Sequence, residues 1–149
     1  MRLVVQRVRE AAVQVEGQDV ARIGAGLLVL WGLGPADTLA QAEKMLARLV
    51  KYRIFADDQG RMNRSLSDVQ GELLLVSQFT LLAQTHKGLR PDFGGAMPPA
   101  EARVLFARIT EAAQALWPGT QCGQFGADMQ VSLVNDGPVT ITIDSKAPE

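Results

Sequence analysis

Short apolar segments rich in valine, leucine and isoleucine recur along this chain of 149 residues, separated by residues that favour turns. Such runs, alternating or continuous, are typical of β-strands. The run GLLVLWG at 26–32 is apolar throughout, which predicts a buried central strand. The other predicted strands lie at 2–8, 12–16, 19–23, 73–76, 128–134 and 139–143.

Turn and helix signals connect these strands. Gly17-Gln18-Asp19 predicts one hairpin turn, and Asn135 to Pro138 carries hairpin-type residues between the last two strands. Two stretches have helical periodicity: one follows Asp37 or Thr38 as N-cap, and the other opens at Pro98-Pro99. With about seven or eight strands and two helices, we expect one α+β domain over 1–149, with an antiparallel, barrel-like sheet.

The amino-acid composition excludes several kinds of site. The chain has one cysteine, Cys122, and one histidine, His86, so an internal disulfide and a zinc site of Cys and His ligands are excluded by count. We expect no metal and no cofactor. The longest apolar run is too short for a membrane span, and Arg2, Arg7 and Arg9 interrupt any signal-like segment, which predicts a soluble cytoplasmic protein.

The charge balance limits how the chain can meet nucleic acid. A net charge of −1 does not support binding through bulk charge, so RNA contact requires a local basic surface or recognition of a nucleotide end. Lys44, Arg48 and Lys51 share one face of the first predicted helix. We interpret them either as a solvated surface or as a phosphate-contacting stripe. Lys87 and Arg90, in the long loop at 83–97, are the other candidates.

The segment SQFT follows a buried strand. Ser77 and Thr80 supply hydroxyls, Gln78 supplies an amide, and backbone N–H groups there are able to stabilise an oxyanion. Strand ends followed by loops are where a rigid scaffold holds reactive groups. On residue type alone, an ordinary strand end with satisfied hydroxyls explains the segment better than a functional site does.

The segment NDGPVT is the second candidate. A Gly-Pro pair between strands usually marks a turn, and only about 5–6% of X-Pro bonds in folded proteins are cis. A cis bond would let the carbonyls of Gly137 and Pro138 point the same way, and glycine would let that backbone approach a ligand closely.

The chain resembles the bacterial D-aminoacyl-tRNA deacylases nearly from end to end. The pair SQFTL and NDGPVT, in this order and separation, is the most specific part of the resemblance. The likeness is carried by VVQRV (4–8), IGAGLLVLWG (23–32), YRIFAD (52–57), LVSQFTL (75–81), KGLRPDF (87–93) and ADMQVSLVNDGPVT (127–140).

The resemblance implies a barrel-like α+β homodimer that hydrolyses D-aminoacyl-tRNA and grips its 3′-terminal adenosine. Gly137 and Pro138 would form a Gly-cisPro motif that enters the partner subunit's site and leaves no room for an L side chain. Arg7 would steady the motif, and Met129 would lie near it. The pocket for the adenosine and the ester would be lined by Ser77, Gln78, Phe79 and Thr80.

The chemistry follows from an ester that is already activated. A site built of backbone atoms excludes a side chain that points in one direction, so D-amino acids are accepted and L-amino acids are rejected. Glycine has no side chain to exclude, so glycyl-tRNA, including glycine mischarged on tRNA(Ala), is also expected to be hydrolysed. Either Thr80 is a nucleophile, or the 2′-hydroxyl of the terminal ribose assists hydrolysis. The resemblance implies the second, and the lack of a histidine in either motif agrees with it. The alternatives are a non-catalytic RNA-end binding protein and an esterase of small D-amino acid esters; membrane and DNA are not expected partners.

Overall fold

The first and last strands organise the sheet. In this computed structural model, which describes residues 1–146, β1 (Arg2–Val15) and β8 (Gln130–Asp144) pair antiparallel along nearly their whole length. On its other edge, β1 pairs antiparallel with β3 (Gly26–Gly32) through its first half and with β2 (Gln18–Ile23) through its second. The strands predicted at 2–8 and 12–16 are therefore one strand, which bends at a bulge around Val8.

The other side of the sheet is parallel, so the sheet is mixed and not purely antiparallel as predicted. β6 (Glu72–Ser77) runs parallel to β3, and β7 (Gln121–Cys122) runs parallel to β6. Each pair is joined by a long crossover that contains a helix, as parallel pairing requires. The strand order is β2-β1-β3-β6-β7, and β8 pairs with β1 outside this path. Strand β2 also lies close to β6 and β7. The sheet of this α+β fold is therefore barrel-like and nearly closed.

Residues 1–146 contain three α-helices rather than the predicted two. Helix α1 (Leu39–Leu49) begins with a capping box between Thr38 and Gln41, which confirms Thr38 as the N-cap. The third crossover helix, α3 (Pro99–Leu116), begins at the predicted proline pair. Between them lie β4 (Phe55–Ala56), β5 (Met62–Arg64) and the short α2 (Leu66–Val69). Four residues are too few to show helical periodicity, so only the capping box of Ser65 and Asp68 marked α2 in the sequence.

Residues 135–138 are not a hairpin turn. Asn135 pairs with Val8 and Thr140 pairs with Gln6, so residues 136–139 lie opposite Arg7 alone. They form a wide bulge within one continuous strand. The two predicted strands at 128–134 and 139–143 are both halves of β8, because each half finds its partner on the same long β1.

A buried ion pair ties α1 to the start of the sheet. The Met1 ammonium lies 2.6 Å from Asp37 Oδ2 and donates to Ser145 Oγ at 2.8 Å. The same Asp37 oxygen accepts from the Gly34 N–H at 2.6 Å. The last residues of a chain commonly fray, and the sequence predicts this for 145–149. Ser145 is instead held at the core edge, and 147–149 lie outside the described residues. Within residues 1–146 no helix has the length and apolar character needed to cross a membrane.

Candidate active site

A cavity of about 540 Å³ opens beside the ends of β3 and β6. Three residues of the SQFT segment, Ser77, Gln78 and Phe79, line it together with Met129 from the region before β8. The remaining lining residues, mostly apolar, come from β3, β6, β8, α3 and the loops before and after that helix: Trp31, Leu33, Val76, Phe93, Ala96, Met97, Pro98, Pro99, Ala102, Phe125, Gly126, Ala127 and Val131.

Close backbone packing places the SQFT segment. Trp31 and Ser77 are neighbours in the parallel β3–β6 pair, and the Gln78 N–H donates to the Trp31 carbonyl at 2.9 Å. A 3-10 helix (Phe79–Leu82) then begins and crosses over Gly32. A Cβ on Gly32 would lie 2.9 Å from the Gln78 carbonyl oxygen, so only glycine permits this approach.

The polar side chains of the segment interact with one another. Gln78 Nε2 donates to Thr80 Oγ1 at 2.6 Å. Thr80 itself is exposed and is not among the described residues that line the cavity, so it stands beside the wall formed by Ser77 and Phe79. The geometry gives Thr80 a hydrogen-bonding role toward Gln78.

Two phenylalanines form the mouth of the cavity. Phe79 and Phe93 meet edge to face with ring centroids 5.2 Å apart, and they remain 57% and 39% exposed. Exposed aromatic edges at the entrance of an apolar cavity suit a flat, partly apolar ligand. Phe93 belongs to the long loop at 83–97, whose length indicated function, although we had not singled out this residue.

Among the residues that the structure describes, no ionisable side chain lines the cavity, since all the lining residues are apolar, serine, glutamine or glycine. Cys122 is half-buried, its thiol lies 3.5 Å from the Thr110 hydroxyl, and burial raises the pKa of that thiol. His86 is exposed in its loop. Residues 1–146 hold no group of three side chains able to bind a metal ion.

Arg7, Gly137 and Pro138 form a second cluster at the β8 bulge. Arg7 Nε donates to the Asp136 carbonyl oxygen at 2.9 Å, and Arg7 Nη1 donates to the Ile54 carbonyl oxygen at 2.8 Å. The Gly137–Pro138 bond is cis, and both residues are exposed. Among the described residues, this cluster contributes nothing to the cavity wall, so the structure divides the predicted site residues into two groups.

Comparison with known proteins identifies the family of this chain. The family model described as D-Tyr-tRNA(Tyr) deacylase matches residues 4–144. The chain is 54% identical over 145 residues to a D-aminoacyl-tRNA deacylase of Pseudomonas aeruginosa (strain LESB58), covering 97% of this chain and 100% of that protein. It is 51% identical over 147 residues to one of Acinetobacter baumannii (strain ATCC 17978), covering 99% of this chain and 100% of that protein.

Two solved structures share the fold. One, called c-Myc DNA Unwinding Element Binding Protein, superposes with a TM-score of 0.92 at 41% identity and covers 99% of this chain and 100% of its own. The other, called a probable eukaryotic D-amino acid tRNA deacylase, has a TM-score of 0.83 at 17% identity, covers 95% of this chain and 97% of its own, and supports the fold alone. With the family model matched over nearly the whole length, the chain belongs to the D-Tyr-tRNA(Tyr) deacylase family.

Proposed function

We propose that this protein is a cytoplasmic hydrolase that cleaves the ester of D-aminoacyl-tRNA and releases the D-amino acid and tRNA. The observation that carries the proposal is the cavity, where Ser77, Gln78 and Phe79 meet Met129 in a wall without acids or bases. Such a wall suits a substrate that brings an activated ester and needs orientation more than protein acid–base chemistry.

The catalytic step is assigned to water and the substrate's own ribose. Water attacks the ester carbonyl carbon, the bond to the 3′-oxygen breaks, and the 2′-hydroxyl relays the proton to that leaving oxygen. Backbone N–H groups at Phe79 and Thr80, at the start of the 3-10 helix, are the candidate oxyanion donors. Gln78 and Ser77 orient the terminal adenosine and the ester.

Chiral selection is assigned to the exposed bulge. Gly137 and Pro138 project from β8, and Arg7 fixes the backbone just before them. Backbone carbonyls that hold the α-amino group exclude an L side chain by steric collision. Such a collision discriminates between the two enantiomers more strongly than one methylene group in a pocket does, for which the difference in free energy is about 1–3 kcal/mol. Glycine has no side chain to exclude, so glycyl-tRNA, including that on tRNA(Ala), is a second substrate.

The proposal requires a homodimer. The bulge does not line the cavity of its own subunit, and within residues 1–146 β8 pairs only with β1, so the outer edge of β8 is open. An open edge is a template for a strand of a second copy. Pairing there would carry Gly137 and Pro138 toward the partner's cavity.

The test compares four substrates: D-Tyr-tRNA, L-Tyr-tRNA, glycyl-tRNA and a small D-Tyr ester. Release from D-Tyr-tRNA and glycyl-tRNA, with L-Tyr-tRNA and the small ester spared, is the expected result. Equal cleavage of the small ester would make the protein a general D-ester esterase. No release from any substrate, with RNA still bound, would leave only an RNA-end binding protein and would overturn the proposal.

A second comparison tests the catalytic step. D-Tyr-tRNA ending in 2′-deoxyadenosine, with the amino acid on the 3′-oxygen, lacks the proposed proton relay. We expect it to bind with unchanged affinity and to be hydrolysed at the uncatalysed rate. Undiminished turnover would remove the 2′-hydroxyl from the mechanism.

A further inference from the structure

Arg103 lies at the rim of the cavity described above. It follows Ala102, a lining residue, on α3. The Arg103 guanidinium carbon lies 4.9 Å from the centre of the Phe125 ring. A Cβ on Gly126 would lie 3.0 Å from Arg103 Nη2, so the guanidinium also lies against the Gly126 backbone. Because Phe125 and Gly126 both line the cavity, Arg103 borders the cavity without forming part of its wall.

The Arg103 side chain is exposed, and its donors are free. Among residues 1–146 it forms no salt bridge and donates no hydrogen bond. Glu101 and Asp128, the acidic residues nearest to Arg103 and Gly126 in the sequence, do not pair with it. The cation–π contact with Phe125 positions the guanidinium at the rim and leaves its fork of N–H groups for a ligand.

Other cations are less well placed to meet a ligand in the cavity. Arg2 lies beside the 3-10 helix, but it is ion-paired with Asp144 at 3.0 Å. Lys87 and Arg90 are exposed in the long loop, and within the part of the chain that the structure describes no salt bridge or hydrogen bond fixes their side chains near the cavity. The position of Arg103, by contrast, is set by contacts with two lining residues.

The cavity wall suits a nucleoside but not a phosphate. The described lining side chains are apolar or neutral, and a charge buried among them without a partner would cost much more free energy than a charge left at the rim. An adenosine that occupies the cavity would therefore keep the phosphate on its 5′ side at the rim. Arginine is suited to that group, because its planar N–H fork matches two phosphate oxygens at once.

We propose that Arg103 binds the phosphate on the 5′ side of the terminal adenosine of the tRNA substrate. The inference rests on the proposed function, which assigns that adenosine to the cavity. It adds a substrate-binding residue and a physical reason why a nucleotide ester is preferred to a small D-amino acid ester. Arg103 belongs to α3 and not to the outer edge of β8, so a homodimer formed through that edge does not require its burial.

The test uses two substrates that differ only at the 5′ position. One is 3′-O-D-tyrosyl-adenosine with a free 5′-hydroxyl, and the other carries a 5′-methyl phosphate, which has a single negative charge like the phosphodiester of tRNA. For the wild-type protein, we expect the methyl phosphate to lower KM by about tenfold and to leave kcat unchanged, as a charge-assisted hydrogen bond to a non-reacting group does. For Arg103→Ala, we expect both substrates to have the KM that the wild-type protein shows without the phosphate.

Two further variants separate a phosphate contact from a structural role. Arg103→Lys keeps the charge but not the fork, so it is expected to retain part of the effect of the phosphate on KM. Arg108→Ala removes an exposed cation further along α3, on another face of that helix, and is expected to retain all of it. With D-Tyr-tRNA, the slope of log K against log salt should become shallower by about 0.7 in Arg103→Ala, as expected for one phosphate contact.

The failures of this proposal and of the proposed function are distinguishable. If the phosphate lowered KM equally in the wild-type protein and in Arg103→Ala, or if the salt slope with D-Tyr-tRNA stayed the same, the assignment of Arg103 would be overturned while hydrolysis continued. A loss of activity in Arg103→Ala on the substrate without phosphate would indicate a structural role, and a change of mass in light scattering would assign Arg103 to the subunit contact; either result would overturn the proposal. No hydrolysis of D-Tyr-tRNA or of either adenosine ester by the wild-type protein would instead overturn the proposed function.

Discussion

Arg7 donates a hydrogen bond from Nε to the carbonyl oxygen of Asp136 at 2.9 Å, across the pair formed by the first and last strands. The guanidinium is largely buried, with its side chain 11% exposed, whereas the Gly137–Pro138 pair that follows Asp136 is exposed. An exposed piece of backbone is thus held by a side chain anchored in the sheet.

Replacing Arg7 with lysine tests that anchor. A lysine ammonium keeps the charge but lacks the planar fork that reaches both the Asp136 and Ile54 carbonyls. If the bulge moves by about 1 Å, we expect kcat/KM on D-Tyr-tRNA to fall by on the order of 100-fold. Rates are measured alongside thermal unfolding; a fully active Arg7→Lys enzyme would show that the fork is dispensable.

Gly137→Ala tests the space at the bulge. Gly137 has a φ of +128°, and a Cβ there would meet Arg7 Nη2 and Val139 Cγ2, each at 3.0 Å. We expect a destabilisation of about 1–3 kcal/mol and loss of deacylation. Gly17→Ala is the control, because Gly17 also has positive φ but a Cβ there meets nothing within 4 Å. If both variants lost deacylation activity equally, the loss in Gly137→Ala would be explained by backbone strain alone.

Thr80→Ala tests whether the hydroxyl is a nucleophile. Thr80 Oγ1 accepts from Gln78 Nε2, and the cavity wall offers no base to deprotonate it. We expect kcat to fall less than about tenfold, because the variant loses one hydrogen bond of about 1 kcal/mol that orients Gln78. Single-turnover rates with saturating enzyme are the measurement. Abolished chemistry with normal tRNA affinity would establish the nucleophilic role instead.

Asp37→Asn tests the buried ion pair. The asparagine retains an acceptor for the Gly34 N–H but leaves the Met1 ammonium without its counter-charge in a buried setting. We expect a loss of about 3–5 kcal/mol in the free energy of unfolding by urea. The neighbouring Thr38→Ala, which removes only the helix cap, should cost about 1 kcal/mol. Similar losses in the two variants would show that the ion pair contributes little.

Trp31→Phe tests an unpaired polar group. The Trp31 indole N–H is buried and has no hydrogen-bond partner within residues 1–146. A buried donor left unsatisfied costs about 1–3 kcal/mol, so its removal offsets part of the lost apolar contact. We expect the stability to change by less than about 1.5 kcal/mol, measured by thermal and urea unfolding. A loss of about 3 kcal/mol or more would indicate that a bound water satisfies the N–H in solution.

The sequence was informative where local chemistry decides the structure. The Thr38 cap, the proline start of α3 and the apolar strand at 26–32 are local signals, and each is confirmed. The SQFT segment was placed correctly at the end of a strand for the same reason.

Pairing partners were not readable from the residues. The direction of β6 against β3 depends on a crossover whose path no local pattern reports. NDGP has hairpin chemistry, but the long β1 pairs with both flanking halves and turns the segment into a bulge. Phe93 and Phe125 reach the cavity through tertiary packing, which periodicity does not record.

The shape of β8 also bears on how the chain avoids unwanted polymers. Its outer edge presents fifteen residues of strand, long enough to recruit unrelated extended chains into fibrils. The bulge interrupts that edge near its middle, and Pro138 supplies no N–H for an incoming ladder. An unrelated strand would need a matching interruption to pair along this edge. The β8 bulge, which is assigned to chiral selection, would therefore also hinder aggregation through strand addition.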